Sequence, residues 1–311
     1  MCSYDDDRGR NSDYWRSNLD WTVSMKDYFK IEGPAVISFS GGRTSGYMLW
    51  RILQAHQGIL PDDVKVIFAN TGKEMPETLD FVRDCGVHWN VPITWVEYRA
   101  KTDDGKQIAV VNYETASRKG EPFEILIRER KYLPNPFARF CTVELKVRPM
   151  HRYLKSIGWT EWDSCIGFRA DEQRRVAKLG RQDYGKHETK TAPLASAGIG
   201  IHEIMKFWAE HSFDLKLKVN SKGNSAHGNC DLCFLKKTSH IISLIRENPD
   251  RAEWWAEQER VVTEIGQANS VTGALFNLGR PSYKRMIEIA KSQSEIFDYG
   301  DESLQDCSCT D

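Results

Sequence analysis

The segment that most constrains this chain is Ser38-Phe39-Ser40-Gly41-Gly42-Arg43-Thr44-Ser45, set between the apolar run 35–39 and a helical pattern over 47–54. A short apolar run, a glycine turn and then a helix form the opening of a βαβ unit. Such a loop aims several backbone N–H groups at one anion, and the helix start adds partial positive charge. Glycine lets the backbone approach a phosphate closely, and hydroxyls add donors. A plain tight turn would account for Gly-Gly alone. The flanking strand, the following helix and the hydroxyls of Ser40, Thr44 and Ser45 favour a phosphate loop, with Ser38, Gly41, Gly42 and Arg43 as its other members. It is not a Walker loop, because no Gly-Lys-Ser/Thr follows.

The same rhythm repeats downstream. Residues 64–69 read as a second buried strand, 77–85 as a helix, 93–98 as a third strand and 163–168 as a fourth. The expected fold is therefore α/β, a Rossmann-like parallel sheet with helices on both faces and a mostly helical C-terminal part. Residues 99–122 read as an excursion without regular structure. A helix is expected at 124–132, and another at 142–157 that Pro149 kinks or breaks. Helices also fit 201–212, 236–246 and 249–266. This divides the chain into an N-terminal arm (1–32), a nucleotide-binding α/β region (33–215), a cysteine-containing helical region (216–298) and an acidic tail (299–311).

Composition removes several alternatives. The 311 residues have a formal charge of −1, so the whole molecule does not attract polyanions, although a local basic patch is compatible with that total. No run of about 18 apolar residues exists, and residues 1–10 are polar without an apolar core, so neither a membrane span nor a secretory signal is expected. The expected compartment is cytoplasmic. In a reducing compartment the eight cysteines are free, catalytic or metal-binding rather than paired.

Four ordered motifs carry a resemblance. The loop at 38–45 resembles the PP-loop of the adenine nucleotide α-hydrolase superfamily, and Phe68-Ala69-Asn70-Thr71-Gly72-Lys73-Glu74 resembles a second-strand motif of its phosphoadenosine phosphosulfate (PAPS) reductase-like members. Arg139-Phe140-Cys141-Thr142-Val143-Glu144-Leu145-Lys146 and Gly167-Phe168-Arg169-Ala170-Asp171-Glu172-Gln173-Arg174-Arg175 resemble two further segments of that family. The resemblance implies adenine nucleotide binding, with Asn70, Thr71 and Gly167 joining the loop at the nucleotide and Lys146, Arg169 and Arg174 in the reaction. Arginine fits phosphate or sulfate bidentately, and lysine acts as a point charge. A solvated charged loop is the plainer account of 169–181. Thr44 stands where the ATP-using pattern has aspartate, which puts a Mg2+ role at that position in doubt.

Cys230-Asp231-Leu232-Cys233 is a close thiol pair, and Cys141 lies in a separate motif. Two thiolates at this spacing suit one metal centre, a redox dithiol or plain burial. Gly228-Asn229-Cys230-Asp231-Leu232-Cys233-Phe234-Leu235-Lys236 resembles a stretch of PAPS reductase-like proteins that carry iron–sulfur clusters. That resemblance implies a [4Fe-4S] cluster on Cys141, Cys230, Cys233 and Cys309, with Cys307 in place of Cys309 as an alternative and zinc as the rival metal. Cys85 and Cys165 read as packing residues, as do Phe207, Trp208, Trp254 and Trp255.

Three functions compete: ATP-dependent adenylation with pyrophosphate release during sulfur insertion, reduction of a sulfonucleotide (PAPS or APS), and a non-catalytic nucleotide-sensing or nucleic-acid-binding module. The chain lacks the Glu-Cys-Gly-x-His segment expected of thioredoxin-linked PAPS reductases, which counts against simple PAPS reduction. The sulfur donor or reductant stays open, a nucleic-acid substrate and a homodimer are both compatible with the sequence, and fold alone does not choose among these readings.

Overall fold

The computed structural model describes residues 27–100, 107–179, 187–219, 227–228, 230–265 and 274–292. Six strands form one sheet in the order β4-β3-β2-β1-β5-β6. They are β1 (Ala35–Ser38), β2 (Val64–Asn70), β3 (Ile93–Tyr98), β4 (Ile108–Val111), β5 (Trp162–Ile166) and β6 (Glu188–Thr191). All neighbours run parallel except β3 and β4. The central strands are buried on both faces, which is why they read as continuous apolar runs.

Side-chain alternation along these strands sorts the helices. Ala35, Ile37, Val64, Val66 and Phe68 pack on one face. There they meet α1 (Arg43–Ala55), α2 (Pro76–His88) and α8 (Ile201–Glu210) through Leu49, Phe81 and Trp208. Val36, Ile67, Ala69 and Val96 turn to the opposite face, against Leu154 of α5 (Arg148–Ser156). Between them in sequence lie α3 (Glu121–Arg130), the short α4 (Phe140–Thr142) and a π-helical segment, Val143–Val147. Past β5, α6 (Gln173–Leu179) and the short α7 (Pro193–Ser196) flank β6. Three helices, α9 (Thr238–Glu247), α10 (Asp250–Glu264) and α11 (Tyr283–Ser292), follow.

The structure departs from the sequence reading in three places. The excursion at 99–122 contains β4, four apolar residues that close the sheet antiparallel to β3. An isolated run this short has no period that separates it from a loop. β6 is polar throughout, Glu-Thr-Lys-Thr, and its place at the sheet edge explains the missing apolar signal. The expected helix over 142–157 is not regular throughout: Val143–Val147 is π-helical, and Pro149 sits directly after it in the first turn of α5, where its missing N–H is tolerated.

The C-terminal helices do not form a core of their own. Trp255, Phe276, Tyr283 and Met286 pack with Phe123, Leu126 and Ile127 of α3 in one cluster. Trp255 is fully buried, and Trp254 packs partly buried against the same cluster, as expected of packing residues. Glu259 of α10 binds the start of α11: its carboxylate accepts from the N–H of Tyr283 at 2.8 Å and from that of Phe276 at 3.4 Å. The Tyr283 N–H opens a helix and has no acceptor within it.

Burial raises the Glu259 carboxyl to about 7, against the pull of those two N–H groups. A carboxyl raised above its unfolded value near 4.5 favours the folded state fully below that value. The contribution is lost as pH rises from there through about 7. Glu259→Gln removes the titration but leaves one of these N–H groups without an acceptor, so it should start less stable, and the wild type's advantage in urea unfolding should shrink by on the order of 2 kcal/mol between pH 4.5 and pH 8. Parallel unfolding midpoints across that range would contradict this.

Candidate functional site

The glycine loop leaves β1 and enters α1 as a structure closed by one hydroxyl. Ser45 Oγ accepts from the N–H of Ser40 at 3.2 Å and of Gly42 at 3.3 Å, lies 3.0 Å from Ser40 Oγ, and donates to the Gly42 carbonyl at 3.0 Å. Gly41 has φ +75, and a Cβ there would stand 2.7 Å from the Thr78 methyl carbon. Only glycine fits this turn without strain. Gly167, just beyond β5, runs against the same loop; a Cβ on it would stand 3.3 Å from Ser45 Cα. The loop thus lies at the carboxyl ends of β1 and β5, the edge where open parallel sheets hold ligands. Ser38 closes β1, paired with Ile67 and Ile166, and Thr44 is half-buried in the first turn of α1.

The Arg43 side chain is engaged within the protein. Its guanidinium grips Asp214 through Nε at 2.7 Å and Nη2 at 2.6 Å, and Nη2 also reaches the carbonyls of Leu215 and Leu217. The side chain pins the segment after α8 to the loop, leaving the Arg43 backbone to serve the first turn of α1.

At the end of β2, Asn70 is fully buried and turned inward. Its amide donates to Glu97 Oε1 at 2.5 Å and the Ser117 carbonyl at 2.9 Å, and its Oδ1 accepts from the Gly72 N–H at 3.1 Å. Glu97, which sequence reasoning missed, also accepts from Ser117 N–H and Oγ and pairs with Arg99 at 2.6 Å. Nothing in the alternation of β3 distinguishes it. Thr71 donates through its N–H at 3.0 Å and its hydroxyl at 2.8 Å to Glu74, so both side chains are held in the turn. Burial raises the Glu74 carboxyl, and Lys146 is the strongest opposing influence. Lys146, on the π-helical segment, likewise lowers the Cys141 thiol, which burial still holds at about 11. Lys146 therefore stands near both Glu74 and Cys141.

Arg169 is nearly buried beyond β5. It forms a two-pronged pair with Asp171 at 3.0 Å through Nε and Nη2, while Glu172 accepts from its N–H at 2.9 Å and from Arg175 at 2.6 Å. Asp171 and Glu172 orient these guanidinium groups. Arg174 is exposed on α6.

The thiol pair is attached to the turn after β2. Glu74 and Cys230 form an antiparallel bridge, and the Asp231 N–H donates to the Lys73 carbonyl at 2.9 Å. The side chains repeat that link: Lys73 Nζ lies 3.1 Å from Asp231 Oδ2, and both are almost fully buried. Asp231 Oδ1 also accepts from Trp255 Nε1 at 2.9 Å, and the Lys73 ammonium sits 4.8 Å from the Trp254 ring centre. Cys230 and Cys233 are buried and Cys141 packs half-buried against the same cluster. Among the described residues, however, no three His, Cys, Asp or Glu side chains converge to hold a metal ion. Cys307 and Cys309 lie outside the described residues. Cys85 and Cys165 are core thiols, as expected.

A buried pair that loses one partner leaves an uncompensated charge. Lys73→Met or Asp231→Ala alone should cost about 3–5 kcal/mol in urea unfolding, and Lys73→Met with Asp231→Leu should recover part of it. Single variants as stable as the wild type would contradict the anchoring role.

The phosphoadenosine phosphosulfate reductase domain model matches residues 34–198, just over half of the chain. The uncharacterized nin region protein ORF290 of Escherichia phage lambda is 30% identical over 213 residues, 66% of this chain and 67% of that protein. The uncharacterized protein MJ0066 of Methanocaldococcus jannaschii is 24% identical over 250 residues, 78% of this chain. The chain spans only 44% of that archaeal protein. A crystal structure of PAPS reductase from Candida auris in complex with phosphate aligns at 14% identity and a TM-score of 0.37, over 68% of this chain and 87% of that one. On the family match and the identity to the phage protein, the chain belongs to the phosphoadenosine phosphosulfate reductase domain family.

Proposed function

We propose that the chain is an enzyme that binds the phosphates of an adenine nucleotide in the loop 40–45 and activates an acceptor by adenylation in sulfur chemistry. The observation that carries this reading is the hydroxyl-laced loop at the start of α1, with Gly167 at its back and Lys146 and Arg169 on neighbouring segments at the same sheet edge. First-turn N–H groups of α1 have no acceptor within the helix and suit the leaving pyrophosphate. In the step, an acceptor nucleophile attacks the α-phosphorus of ATP, the bond to the bridging oxygen breaks, and pyrophosphate leaves with that electron pair. Lys146 and Arg169 are the candidates to neutralise the developing charge. With no acidic side chain in the loop, Mg2+ would arrive with the nucleotide.

Cys230 and Cys233 are buried, so thiol attack in a reductase reading would need another cysteine, such as Cys307 or Cys309. The family description favours a second reading, reduction of PAPS or APS bound at the same loop. A [4Fe-4S] cluster on Cys141, Cys230, Cys233 and a tail cysteine remains part of the proposal; three thiols near one core support it, and the described residues do not complete a ligand set. No step of the adenylation depends on it. Iron and sulfide analysis of anaerobically purified protein decides it, and stoichiometric zinc would refute it.

Protein given ATP should release pyrophosphate, whereas sulfite from PAPS with a thiol donor would favour the second reading. Gly41→Ala, which forces a Cβ into a positive-φ turn against Thr78, should weaken nucleotide binding about tenfold or more with the fold retained. Unchanged binding in that variant would remove the loop from the site.

A further inference from the structure

Phe137 is completely exposed, yet it does not sit on a loose loop. Asn135 Oδ1 accepts from the N–H of Phe137 at 3.0 Å and of Ala138 at 2.9 Å, and the Asn135 N–H returns to the Ala138 carbonyl at 3.3 Å. The turn holds the ring out into solvent. Because the backbone beneath the ring is already fixed, stacking on it costs little ordering and buries its faces.

The surroundings are cationic. Residues 128–155 hold eight Lys and Arg against two Glu, in a chain whose total charge is −1. The fold gathers part of this set around Phe140, three residues past Phe137, and around Glu144. Arg130 and Arg148 share the single carboxylate of Glu144, so that trio keeps a positive charge. Arg130 lies 5.7 Å from the centre of the Phe140 ring, and Tyr132 meets Phe140 edge-on at 4.9 Å. Lys131 is exposed at the end of α3, with φ +60. Phe140 is the neighbour of Cys141, so this surface borders the candidate site.

We propose that this surface, Phe137 with Lys131, Arg130 and Arg148, binds single-stranded nucleic acid. An outward ring offers a stacking platform for an unpaired base, and flanking cations follow the phosphates. A duplex hides the base faces that the ring would use, so the single strand is the form that fits. This surface lies outside the phosphate loop, and its binding does not require the adenylation reading.

The test is anisotropy of the full chain, without added nucleotide, using a labelled oligothymidylate of about 16 residues and its oligouridylate counterpart. Binding to either is expected, weakening with salt. Phe137→Ala should reduce affinity about 5- to 100-fold while leaving the salt slope unchanged. Lys131→Glu should weaken binding and lower the slope by about 0.7 for each phosphate no longer neutralised. Both positions are exposed, and unfolding midpoints equal to the wild type confirm that each variant is folded. Failure to bind either strand, wild-type affinity in Phe137→Ala, or equal competition by a matched duplex or by polyglutamate would overturn the proposal. The last result would point to an acidic protein partner instead.

Discussion

The arrangement of the site depends on the buried ion pair between Lys73 and Asp231. Lys73 belongs to the turn that leaves the central sheet, and Asp231 lies between the paired thiols. Burying both charges is costly unless each is fully engaged. Asp231 meets that demand with Lys73 on one oxygen and Trp255 on the other, and the adjoining backbone pairs in the same place. The pair therefore fixes where the helical C-terminal part docks. It also sets Cys230 beside the carboxyl end of β2 rather than at a distant surface.

Several motif residues serve to hold shape. Asn70 and the Arg43 guanidinium spend their hydrogen bonds within the protein. Asn70 fastens β2 to β3 and to the segment before α3; Arg43 fastens the segment after α8. Ser45 takes the N–H groups of Ser40 and Gly42 and so closes the loop from within. Arg169 is likewise held, by Asp171, and in the proposed reading it meets the anion together with Lys146 and the first turn of α1.

Much of this was legible in the sequence, for reasons that differ by element. The strands β1 and β2 are buried almost throughout and read as apolar runs, β3 and β5 carry enough apolar residues to be recognised, and the loop between β1 and α1 has a chemistry few other turns need. β6 was illegible because an edge strand needs no apolar face, and β4 because four residues show no period. The same distinction holds at the site. Gly41 and Ser45 could be placed by residue type, since the turn admits little else. Glu97 and the Lys73–Asp231 pair could not, because their partners are far apart in the chain and single residues carry no sign of them.

The central claim is that the outer face of the loop 40–45 receives the nucleotide phosphates. Hydrogen exchange of the backbone amides with and without saturating ATP tests it directly. Protection is expected to concentrate at residues 41–45 and near Gly167. Nucleotide binding that leaves those amides unchanged and protects another surface would contradict it.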